Sequence, residues 1–339
     1  MLIVMKNSAT AANIDAVVSA IQKKGFSAEK LPGKLRTAIG VMGNEKYVEQ
    51  DQLLNLEGVK EIIHVTKPYK RVSREYKAEN TLVKINDDVI FGTDEPVIIA
   101  GPCAVESQEQ FTAIAEYVQK CGAKMLRGGA FKPRTSPYAF RGLKEEGLKI
   151  MSKVGKNLGM PIVSEILSLE DLPLFEKYVD MIQIGARNMQ NFDLLEHVAD
   201  LKKPILLKRG MSATMEEYLL AAEYILNRGN SKVVLCERGI RTFENSTRNI
   251  LDLNTLALIQ IESHLPIIAD PSHAAGRFDV VPLLAKAGIA AGANGLIIEV
   301  HNNPAEALSD GKQSLTLKNF EKLMKELNLI SSGVLNHTF

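Results

Sequence analysis

Apolar residues along this chain follow two rhythms. From about residue 96 onward, short continuous apolar runs recur: "PVIIAGP", "KMLRGGA", "PIVSEI", "MIQIGA", "PILLKRG", "KVVLCERG", "PIIADPSH" and "GLIIEV". Between them lie helix-like stretches such as "SQEQFTAIAEYVQKCG" and "TMEEYLLAAEYILNRG". Runs without polar alternation suit strands covered on both faces, as in a parallel sheet. Eight β-α repeats in about 230 residues predict a closed (β/α)8 TIM barrel over residues 96–339. A doubly wound sheet would alternate too, but even spacing with no single phosphate-loop fingerprint favours closure.

The first 70 residues read differently. "LIVM" is a strand, and Thr10 can cap a helix through "AANIDAVVSAIQKKG" that ends at Gly25. "FSAEKL" and "RTAIGVMG" read as strands around a Pro32-Gly33 turn, "YVEQDQLLNL" as a helix and "VKEIIHVT" as a closing strand. The order βαββαβ is that of a small ferredoxin-like domain, 1–70. Residues 71–95 follow as a charged linker and a hairpin, "TLVKINDDVIFG", turning at Asn86-Asp87-Asp88. The whole is α/β: a small domain, a linker, then a barrel.

In such barrels the chemistry sits at the C-terminal ends of the strands. Read in order, those ends carry Cys103, Arg127, Glu165, Arg187, Lys208, Arg238, His273 and Glu299. A single charged strand end is well explained by a snorkelling head or a core ion pair. Eight in succession converge on one mouth. The stretch "LRGGAFKPRTSPYAF" adds Lys132, Arg134, Thr135 and Ser136 on a loop stiffened by Pro133 and Pro137. Arg127, Lys132, Arg134, Arg187, Lys208 and Arg238 exceed what one carboxylate needs, which implies an anionic, phosphorylated substrate. Gly128 and Gly129 are expected to let the backbone approach it.

Composition narrows the class. The chain has 339 residues and a net charge of +1, which argues against bulk attraction to nucleic acid and makes a local cluster of cations informative. Three separated cysteines with no C-x-x-C spacing point to a reducing compartment, the cytoplasm. No run approaches the ~20 apolar residues of a membrane helix. Cys103, His273 and Glu299 offer a thiol, an imidazole and a carboxylate suited to a divalent transition metal, with Asp310 of "LSDGKQSL" as a fourth candidate. Each also has a bland reading as packing, a core histidine or a turn, and spacing alone leaves both open. Cys121 reads as helix packing, and Cys236 closes a strand with no assigned role. His264 and His301 have no cluster to join. Asp270 could orient a ligand or only bond the backbone.

Together "AGPCAVES", "LRGGAFKPRTSPYAF", "QIGARNMQN", "LLKRG", "LCERGIRTF", "DPSHAAGR", "IIEVH" and "LSDGKQSL" resemble 3-deoxy-D-arabino-heptulosonate 7-phosphate (DAHP) synthases, the subclass with an N-terminal ferredoxin-like domain. The resemblance spans nearly the whole chain. It implies condensation of phosphoenolpyruvate with erythrose 4-phosphate and water, releasing phosphate, the first step of the shikimate pathway. Cys103, His273, Glu299 and Asp310 would bind one divalent ion (Mn, Fe, Co or Zn). Arg127, Lys132, Arg187, Lys208 and Arg238 would hold phosphoenolpyruvate, and Lys132, Pro133, Arg134, Thr135 and Ser136 the sugar phosphate. Glu165 and Lys132 would orient water and move protons. A homotetramer is also implied. The neighbouring activity, 3-deoxy-D-manno-octulosonate 8-phosphate synthase on arabinose 5-phosphate, is set apart by "KPRTS" in place of a K-A-N-R type loop. Ferredoxin-like domains of this family can bind an aromatic amino acid, often tyrosine. Glu29 and Leu31 stand where better-known members carry His and Ser, which argues against ordinary tyrosine sensing, while Thr37 and Ala38 could still line an effector pocket. An assembly role is the other reading.

Overall fold

The computed structural model describes residues 1–33, 36–42, 51–63, 67–133 and 138–335. The chain divides into two compact units, Met1–Ala78 and Glu79–Phe339.

In the first unit, β1 (Leu2–Met5), β2 (Ser27–Pro32), β3 (Thr37–Met42) and β4 (Val59–Ile63) form an antiparallel sheet in the order β2-β3-β1-β4. That order, with a helix Ala11–Lys23 and a short helix Asp51–Leu54, is the ferredoxin-like arrangement. Thr10 caps the first helix as expected. Its hydroxyl accepts from Asn13 N while the Asn13 side chain accepts from Thr10 N, a reciprocal cap of the kind that contributes roughly 1 kcal/mol. Ile3, Met5, Val17, Ile21, Ile39 and Val41 make the core of this unit.

The second unit begins with the predicted hairpin, β5 (Val83–Lys84) and β6 (Ile90–Phe91), whose turn is closed by Asp88 N donating to Asn86 Oδ1. Eight parallel strands follow: β7 (Val97–Gly101), β8 (Met125–Arg127), β9 (Ile162–Ile166), β10 (Met181–Ile184), β11 (Ile205–Lys208), β12 (Val233–Glu237), β13 (Ile267–Ala269) and β14 (Gly295–Glu299). They close into a barrel, β14 pairing with β7 from Gly295↔Val97 to Glu299↔Gly101. The continuous apolar runs are the cause: β7, β10, β11, β12, β13 and β14 are buried along their whole length, inside the barrel and under the helices. Val83, Val89 and Phe91 of the hairpin segment pack into the same interior cluster as Val97, Met125, Val163, Met181, Leu206 and Val234. The hairpin therefore plugs the barrel at the strands' N-terminal end and leaves the other end for chemistry. Cys236 lies in that cluster, and burial pushes its thiol far up; it is packing. No helix among the described residues is long and apolar enough to cross a membrane.

Candidate active site

The strand ends deliver two groups of side chains to the C-terminal mouth. The first begins at Cys103, two residues past β7 and 1% exposed. Its sulfur lies 3.1 Å from Asp310 Oδ2, 3.1 Å from Ser309 Oγ and 2.9 Å from Lys132 Nζ. Ligand atoms of Cys103, Glu299 and Asp310 all fall within 4.8 Å of one another. His273 stands on the short helical turn Pro271–Ala275 after β13, with Nε2 3.4 Å from Glu299 Oε1 and Nδ1 2.8 Å from Asp270 Oδ2, though without hydrogen-bond alignment. One thiol and two carboxylates at this spacing, with the His273 imidazole set against Glu299, suit a single divalent transition metal.

Electrostatics fits the same use. Burial, reinforced by Glu299, pushes the Cys103 thiol up to about 12 against the opposing charge of Lys132. Burial also acts to raise Glu299, but His273, Arg127 and Lys132 outweigh it and hold the carboxyl at about 2. An ionised carboxylate thus sits beside a thiol that a bound cation would have to deprotonate.

Backbone geometry builds this corner. Asp310 is one of three non-glycine residues with positive φ among the described residues, at 50°, and Gly311 follows it where a Cβ would lie 2.1 Å from Pro304 O. Leu315 N donates to Glu299 O at 2.9 Å and His301 N to Leu315 O at 2.9 Å, so the loop is stitched to the end of β14.

The second group is cationic. Arg127 Nη1 donates to Glu299 Oε1 at 2.6 Å, and Lys208 Nζ to Asp270 Oδ2 at 2.5 Å. Asp270 thus serves Lys208 and His273 together while its Oδ1 accepts from His273 N. Arg238 differs. It is 4% exposed, has no carboxylate within ion-pair distance among the described residues, and leaves a buried Nη1 without a hydrogen bond. Burial lowers its pKa, with Asp270 opposing. Arg187, exposed just beyond β10, is likewise without an ion-pair partner among the described residues. Arg127, Lys132, Arg187, Lys208, Arg238 and Arg248 line one open cavity of about 750 Å³, with Glu165, His273 and Asp310 on its wall.

Glu165 lies in β9, where Gln183 Nε2 donates to its Oε2 at 3.3 Å. Gly185 makes room for it: a Cβ there would fall 1.8 Å from Glu165 Oε1. The two glycines of "RGG" act otherwise than expected. Gly128 faces packing, with a Cβ meeting Val105, Phe111 and Met151 at 2.9 to 3.2 Å. Gly129 clears a path for Lys132, whose Nζ reaches Cys103 O at 2.9 Å.

Arg134, Thr135 and Ser136 lie outside the described residues, while Lys132 and Pro133 of the same loop line the cavity. In the ferredoxin-like unit, Glu29 and Leu31 pair with Gly40 and Ala38, and Thr37 with Pro32. Glu29 is engaged by Arg71, 2.8 Å away, and by Tyr76 Oη at 2.6 Å. Arg248, Ser309 and Gln313 were not singled out in the sequence. They are ordinary polar residues in loops, and only their long-range partners distinguish them. His301, thought isolated, has Gln110 at 3.1 Å and Glu106 at 3.5 Å.

A closed (β/α)8 barrel whose mouth joins a Cys/His/carboxylate cluster to a set of cations, Arg187 and Arg238 among them without an ion-pair partner among the described residues, defines an enzyme acting on small anionic substrates. Comparison with known proteins makes this specific: residues 76–333 match the DAHP synthetase I family and residues 1–67 the DAHP synthase ferredoxin-like domain. The chain is 47% identical over 334 residues to the phospho-2-dehydro-3-deoxyheptonate aldolase of Thermotoga maritima, covering 98% of both. A crystal structure of that Thermotoga DAHP synthase superposes with a TM-score of 0.79, covering 98% of this chain and 97% of the other, and a truncated form of it with 0.73 over 78% and 96%. The 2-dehydro-3-deoxyphosphooctonate aldolase of Acidithiobacillus ferrooxidans is 31% identical over 260 residues, 71% of this chain and 92% of its own. The chain belongs to the DAHP synthase family, the aldol-type transferases of aromatic biosynthesis.

Proposed function

We propose that the chain condenses phosphoenolpyruvate with erythrose 4-phosphate at this mouth, using one divalent metal ion. The observation that carries the reading is Arg238, a buried guanidinium with no ion-pair partner among the described residues, facing the same cavity as His273 and Asp310 of the candidate metal cluster. An unpaired buried cation costs several kcal/mol by rough account, which an anion seated against it would offset. In this reading Arg238, Arg187, Lys208, Arg127 and Lys132 hold the phosphate and carboxylate of phosphoenolpyruvate. Lys132, Pro133, Arg134, Thr135 and Ser136 hold the phosphate end of the sugar.

Cys103, His273, Glu299 and Asp310 would hold the ion, which when bound polarises the aldehyde oxygen of the sugar. The remaining work falls to the chain. Fixed cations bring two like-charged substrates together against their repulsion, and such positioning can supply roughly 7–11 kcal/mol. The methylene carbon of phosphoenolpyruvate then bonds to the aldehyde carbon, water adds at C2, and phosphate leaves with its bridging oxygen. Glu165 would orient the water and take its proton, and Lys132 would deliver one to the developing alkoxide. Mn, Fe, Co and Zn all suit the mixed donor set. Both substrates are small phosphorylated molecules, and the 47% relative over the full chain favours the four-carbon sugar over the octonate activity of the barrel-only relatives.

The test follows loss of phosphoenolpyruvate absorbance with erythrose 4-phosphate or arabinose 5-phosphate, with and without a chelator reversed by manganese. Consumption with the four-carbon sugar alone, abolished by chelation, is expected. Consumption with the five-carbon sugar would overturn the substrate assignment, and activity indifferent to chelation would overturn the metal.

A further inference from the structure

We infer that Gln313 is a positioning residue that fixes the plane of the Glu299 carboxylate, and that Arg248 anchors it from the mouth. The inference rests on the reading of Cys103, His273, Glu299 and Asp310 as a metal site.

Gln313 is 2% exposed and closes the short 3-10 turn Gly311–Gln313 that follows Asp310. Its Nε2 donates to Glu299 Oε2 at 2.6 Å, and its Oε1 accepts from Arg248 Nη1 at 3.1 Å. The partners settle which end of the amide is which: a guanidinium can only donate, and an ionised carboxylate can only accept. The other oxygen of Glu299 is held by Arg127 at 2.6 Å. Both oxygens are therefore tied, and the carboxylate plane is set before any ion arrives. Arg248 Nη1 also lies 3.8 Å from Asp310 Oδ1. One guanidinium thus stands within ion-pair distance of one candidate ligand and reaches a second through Gln313.

Packing alone gives no reason for an amide here: a leucine would fill a similar volume but would leave Glu299 Oε2, fully buried, without its donor. An outer partner that orients a ligating carboxylate is what the geometry supplies, and loss of such partners typically weakens metal binding about 10–100-fold.

The test uses the full chain stripped of metal and titrated with Co²⁺. The thiolate-to-cobalt absorption reports Cys103, and competition with a chelator gives the Kd. Q313L is expected to raise the Kd about 10–100-fold, and to lower the melting temperature of the metal-free protein modestly, because Glu299 Oε2 loses its donor. R248M alters an exposed position and so tests the anchor without disturbing the interior. It is expected to raise the Kd by a smaller factor, about 3–10-fold. Q313L binding Co²⁺ within twofold of wild type would overturn the role of Gln313, and an unchanged Kd for R248M would overturn the anchor. Wild type giving no thiolate band with Co²⁺ would instead remove the metal reading itself.

Discussion

Arg209 and Arg238 stand on adjacent strands' ends and are equally buried, at 4% exposed, yet they live in opposite surroundings. Arg209 Nη1 reaches Glu237 Oε2 and Asp252 Oδ2, both at 2.9 Å, and its Nε donates to Ala213 O at 3.0 Å. Arg238, next along the chain from Glu237, has no carboxylate partner among the described residues. The outer cation is complete within the fold; the inner one is left for something the fold does not contain. Burial alone does not mark a functional charge. Incomplete pairing does.

Exchanging each arginine for methionine separates the two kinds. R209M leaves Glu237, fully buried, facing Asp252 without its counter-charge, and is expected to cost about 3–5 kcal/mol in denaturant unfolding. The loss has a definite pH dependence. Burial already raises the Glu237 carboxyl, and Arg209 is the main group opposing that. Without Arg209 the folded state binds a proton that the unfolded state releases, so stability of R209M should fall as pH rises above the ordinary carboxylate range and recover on acidification. A deficit that is flat between pH 5 and 8 would show that Glu237 is not the residue left exposed.

R238M reverses the pattern. It removes an unpaired charge, so the melting temperature should hold or rise. Loss of a preorganised donor should lower kcat/KM for phosphoenolpyruvate by about 10²–10³-fold. A variant that melts earlier and turns over normally would assign Arg238 to the structural class beside Arg209. G185A is expected to act next most strongly, with kcat lower by about 10²-fold from displacement of Glu165 and little change in the KM for phosphoenolpyruvate. Gly185 has φ of −68°, so alanine meets no backbone strain there and the effect reads the clash with Glu165 alone.

The same contrast explains what the sequence could and could not disclose. Eight apolar runs without alternation announced a barrel because both faces of each strand are covered, and the polar residue ending each run pointed to the mouth. Lys208 and Arg238 were therefore legible. Their neighbours Arg209 and Glu237 were not distinguishable from them, because pairing across strands depends on side-chain direction and on Asp252, 43 positions from Arg209. Asp270 was visible beside "PSH", but its joint hold on Lys208 and His273 spans 62 residues in one case and three in the other. Gln313 and Arg248 carry no local signal at all; both are defined by what they touch. Gly128 and Gly129 were read as one feature, whereas one leaves room for core side chains and the other clears a lysine's path.

The smallest expected effect lies in the ferredoxin-like unit, where a third cation tests whether pairing or burial sets the size of the loss. Arg71 is paired as Arg209 is, with Glu29 Oε2 at 2.8 Å, and it stands 5.8 Å from the ring centroid of Tyr76, whose hydroxyl donates to Glu29 at 2.6 Å. Its side chain is 24% exposed and that of Glu29 33%, so water screens the pair and can solvate Glu29 once the partner is gone. R71M should therefore cost about 1 kcal/mol or less, read as slightly faster amide exchange over Ser27–Pro32, with turnover of phosphoenolpyruvate unchanged. A loss as large as that of R209M would mean that pairing, not burial, sets the magnitude. It would also make Glu29 the structural keystone of this unit, because its carboxylate joins β2 to both Arg71 and Tyr76.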